Sequence, residues 1–273
     1  MTTIAFIGGG NMASAIVGGL VGAGHPRERL VVVEPNESQR QVVADKLGVR
    51  TLAAADATLA EAALVVWAVK PQMFGVAAAP CRAHVGAALH LSVMAGIRSD
   101  AIARAVGSER VVRAMPNTPA LIGQGIAGLF ARPAVSGADR VDVESVLAAT
   151  GQTLWLDDEA ALDAVTALSG SGPAYVFHLV ESMLDAARRM GLPDDAARRL
   201  AVQTVAGSAA LVAASTEPPE TLRRNVTSPN GTTQAALSVF EARGVKAAIV
   251  EAILAARDRA AELGDELGTQ PDK

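Results

Sequence analysis

The chain has 273 residues, half of them hydrophobic and only 3% aromatic, with a formal net charge of −4. That length is comfortable for two domains, and a pI near 5.6 leaves no basic surplus to neutralise nucleic-acid phosphates. The single cysteine, Cys81, excludes an internal disulfide framework and fits a reducing, cytoplasmic compartment.

In chain order, Ile4 to Ile7 is a short apolar run that breaks at once into glycines. It reads as a strand entering a turn, not as a signal peptide. A helix is predicted from Asn11 to about Ala23, a second strand at Leu30 to Val33, and a helix from about Ser38 to Leu47. Leu64 to Val69 is a third clear strand, and Leu89 to Val93 and Val111 to Met115 extend the ladder. Gly128 to Ala131 and Thr153 to Trp155 read as later strands framing a helix around Val141 to Ala149. Strands alternating with helices mean βαβ units and a mainly parallel sheet covered on both faces. After about Asp158 only helices are expected. The one from Pro173 to about Met190 starts after Ser169-Gly170-Ser171-Gly172 and stops at Gly191-Leu192-Pro193. Its apolar residues, among them Tyr175, Val176, Phe177, Leu179, Val180 and Met183, cover most of its circumference. Such a helix must be buried nearly all round, here against a second copy of the chain. The fold class expected is therefore α/β. A Rossmann-type, doubly wound, mainly parallel sheet over residues 1–158 precedes an all-helical dimerisation domain over 159–273. Thr269 to Lys273 reads as a disordered tail, and no stretch reaches membrane-spanning length.

Gly8-Gly9-Gly10-Asn11-Met12-Ala13 follows the first strand and opens the first helix, matching G-x-G-x-x-A with Gly8, Gly10 and Ala13. Small residues are needed there for the tight turn, for pyrophosphate approach and for helix–strand packing; the helix start then faces the phosphates. This places a nicotinamide dinucleotide, NADPH or NADH, on the first domain. Glu34, about twenty residues on, can accept the ribose 2′-OH of NADH. Asn36, Ser38 and Arg40 follow directly and can hold a 2′-phosphate if Glu34 turns away, so both cofactors stay open. Beyond later strand ends stand Ala68-Val69-Lys70-Pro71, Ala95-Gly96-Ile97 and Met115-Pro116-Asn117-Thr118-Pro119. Lys70 is either cofactor-facing or a solvated charge. The Asn117 amide either reaches the nicotinamide or the substrate, or belongs to a purely structural loop. The four histidines, His25, His84, His90 and His178, have no metal-ligand spacing, and no metal site is expected.

Thr227-Ser228-Pro229-Asn230-Gly231-Thr232-Thr233-Gln234 is a turn feeding a helix whose first residues carry two hydroxyls. Free N–H groups, the positive end of the helix dipole and adjacent O–H donors suit a small carboxylate. The alternative is that Thr232 or Thr233 merely caps its own helix.

Taken together, these segments give the chain a resemblance to the bacterial pyrroline-5-carboxylate reductases over essentially its whole length. Phe6 to Ala13, Ala68 to Gln72, Met115 to Pro119, Ala167 to Tyr175 and Thr227 to Thr233 carry the resemblance together, in order and spacing. It implies reduction of the cyclic imine 1-pyrroline-5-carboxylate to L-proline, the last step of proline biosynthesis, by a homodimer or a ring of dimers. By position, Gly8, Gly9, Gly10, Asn11, Met12 and Ala13 would hold the pyrophosphate. Ala68, Val69, Lys70, Pro71, Ala95 and Gly96 would line the groove, and Asn225 would approach the nicotinamide from a partner subunit. Ser228, Gly231, Thr232 and Thr233 would cradle the substrate, Thr233 bonding the ring nitrogen as the catalytic residue, with the acidic Glu217 nearby. Ala55-Asp56 departs from an Asn common in the family near the adenosine ribose. Rival readings are another imine reductase, a hydroxyacid dehydrogenase, or a non-catalytic dinucleotide-binding regulator. The hydroxyacid enzymes need a lysine in the central helix as general acid/base, and none occurs from Pro173 to Leu211.

Overall fold

The computed structural model describes residues 2–268; the tail read as disordered lies outside them. Among the described residues there are eight strands, β1 (Thr3–Ile7), β2 (Leu30–Val33), β3 (Arg50–Leu52), β4 (Ala62–Trp67), β5 (Leu89–Ser92), β6 (Val111–Met115), β7 (Gly125–Ala131) and β8 (Gly151–Trp155). They form one sheet in the order β3-β2-β1-β4-β5-β6-β7-β8. Every pairing is parallel except β6 with β7. The helices between them are α1 (Asn11–Gly22), α2 (Glu37–Leu47), α3 (Phe74–Val85), α4 (Ser99–Val106) and α5 (Gly137–Leu147).

Side chains of a strand alternate between faces, so one sheet supplies two cores. Ile4 and Phe6, Leu30 and Val32, Leu64 and Val66 point to one face and pack with Ala13, Ile16, Val17 and Leu20 of α1. Ala5 and Ile7, Val31 and Val33, Val65 and Trp67 point to the other, against Phe74, Ala78 and Cys81 of α3 and Ile102 and Val106 of α4. This is the doubly wound arrangement expected. The strand order reverses at β1 and β4, and a crevice opens beyond the carboxyl ends of strands at such a point.

Three elements were not legible in the sequence. Strand β3 is three residues long, lies at the sheet edge and begins with the exposed Arg50. Helix α3 carries Gly75 and Pro80, breakers that hide its period. Helix α4 spans only eight residues between two strands.

The rest of the described residues are helical apart from short connections: α6 (Ala161–Val165), a π-helical turn (Thr166–Gly170), α7 (Gly172–Arg189), α8 (Asp194–Ala214), α9 (Pro219–Asn225), α10 (Thr232–Ala242) and α11 (Val245–Gly268). The chain divides into two compact units. One comprises residues 2–171 with 256–268, and the other residues 172–255. In the second, α7 and α8 pack against each other, with Ala187, Ala197 and Ala201 buried. Among the described residues no helix is long and apolar enough to cross a membrane.

Candidate functional site

The glycine turn sits at the end of β1, in the crevice between β1 and β4. Gly8 holds φ +101°, and a Cβ there would lie 2.6 Å from the Ala68 carbonyl oxygen, so only glycine fits. Its N–H donates to the Val33 carbonyl, and the Ala68 N–H donates to the Ile7 carbonyl, which ties β2, β1 and β4 together at this point. A Cβ on Gly10 would meet open space, so the backbone there can be approached closely. Gly10 is also the N-cap of α1. It has no side chain to cap with, and no acidic residue stands in the first turn. Asn11 is exposed, Met12 half-buried, and Ala13 buried in the core beneath. An uncapped helix start with bare glycine backbone fits a pyrophosphate, so the chain's own residues suit a dinucleotide.

Glu34, just past β2, folds back across this turn. Its carboxylate accepts the Gly9 N–H at 2.9 Å and the Asn36 N–H at 3.0 Å. The Asn36 side-chain oxygen caps α2 through the Gln39 N–H and accepts the Ser38 hydroxyl at 2.7 Å. Arg40 donates Nη1 to the carbonyls of Glu34 and Pro35. Gln39 reaches the Gly9 carbonyl at 2.6 Å; its role was not foreseen, because it follows from Asn36 capping the helix.

Ala68 and Val69 are half-buried beyond β4, while Lys70 is exposed and stands at the N-cap position of the short 3₁₀ turn Pro71–Met73, its side chain making no capping bond. Beyond β5, Ala95 is exposed and Gly96 adopts φ +75° with Leu267 of α11 close against it. Asn117 is committed locally: its side-chain oxygen accepts the Ile126 N–H at 3.1 Å, and its Nδ2 donates to the Ser169 carbonyl at 3.2 Å. Those bonds fix the Pro116–Pro119 loop to β7 and to the π-helical turn.

In the helical unit, Ser228 to Gly231 form a tight turn, with the Gly231 N–H donating to the Ser228 carbonyl at 3.1 Å. Asn230 takes a left-handed φ of 58°, the conformation that Asn tolerates better than bulkier residues. A Cβ on Gly231 would collide with the Ser228 hydroxyl. Gly231 is the N-cap of α10, and no side chain caps the helix. Thr232 and Thr233 are its first two helical residues, so neither hydroxyl is spent on capping. The Gln234 side chain accepts the Asn230 N–H, a contact the sequence did not suggest. Upstream, Glu217 accepts a hydrogen bond from Asn225 Nδ2 at 3.3 Å, which brings those two expected site residues together.

A polar cluster was missed altogether. Glu159 accepts the Ser99 N–H at 2.7 Å and hydroxyl at 2.5 Å, and Arg113 Nη1 at 2.7 Å. Burial opposes the charge on Glu159, but the Ser99 and Arg113 bonds outweigh it and hold the carboxyl below its ordinary range. These partners are up to sixty residues apart, so no local pattern reveals them.

Comparison with known proteins places this geometry. Residues 159–263 match the family model for pyrroline-5-carboxylate reductase dimerisation, and residues 3–96 match that for NADP oxidoreductase, coenzyme F420-dependent. The pyrroline-5-carboxylate reductase of Pseudomonas aeruginosa is 45% identical over 267 residues, covering 97% of this chain and 98% of its own length. Among solved structures, the pyrroline-5-carboxylate reductase of Coxiella burnetii superposes with a TM-score of 0.88 at 35% identity, over 96% of this chain and 98% of that one. The pyrroline carboxylate reductase of Plasmodium falciparum, solved with NADP bound, gives 0.87 at 28% identity, again over 96% and 98%. The glycine cradle on a doubly wound sheet, the uncapped hydroxyl-bearing helix start and these end-to-end matches agree, and the chain belongs to the pyrroline-5-carboxylate reductase family.

Proposed function

We propose that this chain reduces 1-pyrroline-5-carboxylate to L-proline, the last step of proline biosynthesis, using NADPH or NADH. The observation that carries the reading is the start of α10: an uncapped helix N-terminus with two adjacent threonines, in a chain that also has a dinucleotide cradle. The relatives' names supply the substrate, and the N-terminal match supplies the redox class.

Bound reduced nicotinamide supplies a hydride to the C=N carbon. Gly8 to Ala13 hold the pyrophosphate, Glu34 and Asn36 face the adenosine ribose, and Ala68 to Pro71 with Ala95 and Gly96 line the groove. Asn117 fixes the Pro116–Pro119 loop beyond β6, and Asn225 of the partner subunit, steered by Glu217 as in this chain, serves the nicotinamide side. The N–H groups opening α10, with Ser228, Gly231 and Thr232, hold the substrate carboxylate. Thr233 hydrogen-bonds the ring nitrogen and orients the ring. An iminium nitrogen loses charge as the carbon is reduced, so orientation and one hydrogen bond suffice, and no side chain must shuttle a proton during that step.

In this proposal residues 1–158 are the dinucleotide-binding domain, and residues 159–273 the dimerisation and substrate domain of a cytoplasmic homo-oligomer. The exposed Phe177, Leu200 and Leu211 on α7 and α8, together with the dimerisation match, support pairing of two copies. Supplied with 1-pyrroline-5-carboxylate and a reduced dinucleotide, the purified chain should consume both and release proline in equal amount. Dinucleotide binding without proline formation would overturn the reading in favour of another imine reductase or a non-catalytic binder.

A further inference from the structure

We infer that this chain selects NADH over NADPH, and that Glu34 is the residue that selects. The inference deepens the proposed function and rests on its dinucleotide cradle. Three observations converge at the end of β2. First, the Glu34 carboxylate is fixed in place, each oxygen held by a backbone N–H: Gly9 on the cradle and Asn36 on the β2–α2 turn. A carboxylate has about four acceptor sites, so each oxygen can still take a ribose hydroxyl without giving up its backbone bond. Second, this is where the strand following the cradle presents its end, the position from which an acidic side chain reads the adenosine ribose.

Third, two groups that would welcome a 2′-phosphate, the Ser38 hydroxyl and Arg40 Nη1, are turned to other uses. The Ser38 hydroxyl is donated to Asn36, and the Asn36 oxygen is occupied as the cap of α2. Arg40, the cation on this turn, has Nη1 shared between two backbone carbonyls, and its bonds stiffen the turn that carries Glu34. Glu37 adds a second acidic residue in the first turn of α2. A phosphate of charge near −2 would meet a held carboxylate, with the Ser38 hydroxyl and Arg40 Nη1 already engaged elsewhere. A bare 2′-hydroxyl would meet an acceptor. Selection here works by repelling the wrong ligand as well as by bonding the right one.

The test is direct binding, without imine substrate, so that it does not depend on turnover. Dissociation constants for NADH and NADPH are measured calorimetrically on the full-length wild-type protein, Glu34→Ser and Glu34→Gln. The wild type should bind NADH at least about tenfold more tightly than NADPH, since like charges placed together are strongly disfavoured. Glu34→Ser should narrow that ratio chiefly by tightening NADPH. Competition between NADH and adenosine 2′-monophosphate supplies a second readout; the fragment should displace NADH more readily from Glu34→Ser than from wild type. Equal or tighter NADPH binding by the wild type would overturn the inference even if neither variant folds. So would a ratio that stays put in folded variants. Failure to bind either dinucleotide would overturn the cradle itself, a result distinguishable from loss of selectivity.

Discussion

Gly8 and Thr233 mark the two extremes of what one residue reveals. Gly8 was legible because everything that requires it is local: a strand end, a tight turn and a helix start within a few residues. The geometry then adds the close approach to Ala68. Thr233 was ambiguous between capping and binding. What resolves the capping half is that Gly231, not a threonine, occupies the N-cap. Glu34 was undecidable in sequence for a different reason, since its direction is set by Gly9, 25 positions away. The assignment of Thr233 predicts a clean separation of effects. Thr233→Ala should lower kcat/KM for the imine on the order of a hundredfold, the usual scale for one hydrogen bond aimed at a reacting group. NADH and NADPH dissociation constants should stay nearly unchanged. Equal losses in both would remove Thr233 from the substrate site.

At the scale of elements, long apolar strands declared themselves, while elements whose partners lie far along the chain did not. Neighbouring strands β4 and β5 show both. Their apolar runs were readable, yet His90 on β5 proves fully buried, accepting a hydrogen bond from Trp67 Nε1 at 3.2 Å across the strand pair. Phe74, from the start of α3, meets Trp67 edge-on. Burial, reinforced by the Arg110 charge, pushes the His90 pKa down from 6.5 to about 4. The folded chain therefore refuses a proton that the unfolded chain accepts. Stability contributed by neutral His90 is complete above about pH 6.5 and is lost as the pH falls towards 4, by about 3 kcal/mol in all. Denaturant midpoints measured from pH 7 to 5 should fall for the wild type and fall less steeply for His90→Gln. Parallel slopes would show that His90 is not held neutral. The Ser99–Glu159 bonds illustrate the same limit on sequence reading: a carboxylate preceding α6 satisfies the N-terminus of α4, and neither segment hints at the other.

At the scale of the molecule, the change from strand-and-helix to helix alone was visible in the sequence, because the apolar pattern switches after Asp158. The compact units themselves divide at 171/172 and again at 255/256. That division depends on packing of the π-helical turn and of the second half of α11, which periodicity does not encode. The helical unit exposes an uncommon amount of apolar side chain for a single copy, including Phe177 at 61%, Leu200 at 58% and Leu211 at 59%. Sedimentation or light scattering should therefore find at least a dimer at micromolar concentration. Leu200→Asp combined with Leu211→Asp should lower the mass. A fully active wild-type monomer would contradict that arrangement.

In the proposed reaction, hydride reaches the imine carbon of a five-membered ring acid. Turnover of 1-pyrroline-5-carboxylate with nicotinamide dinucleotide dideuterated at C4, followed by magnetic resonance of the product, tests it directly. The product should be L-proline carrying one deuterium on the ring carbon beside nitrogen and remote from the carboxylate. Unlabelled proline, label at any other carbon, or no proline at all would contradict it.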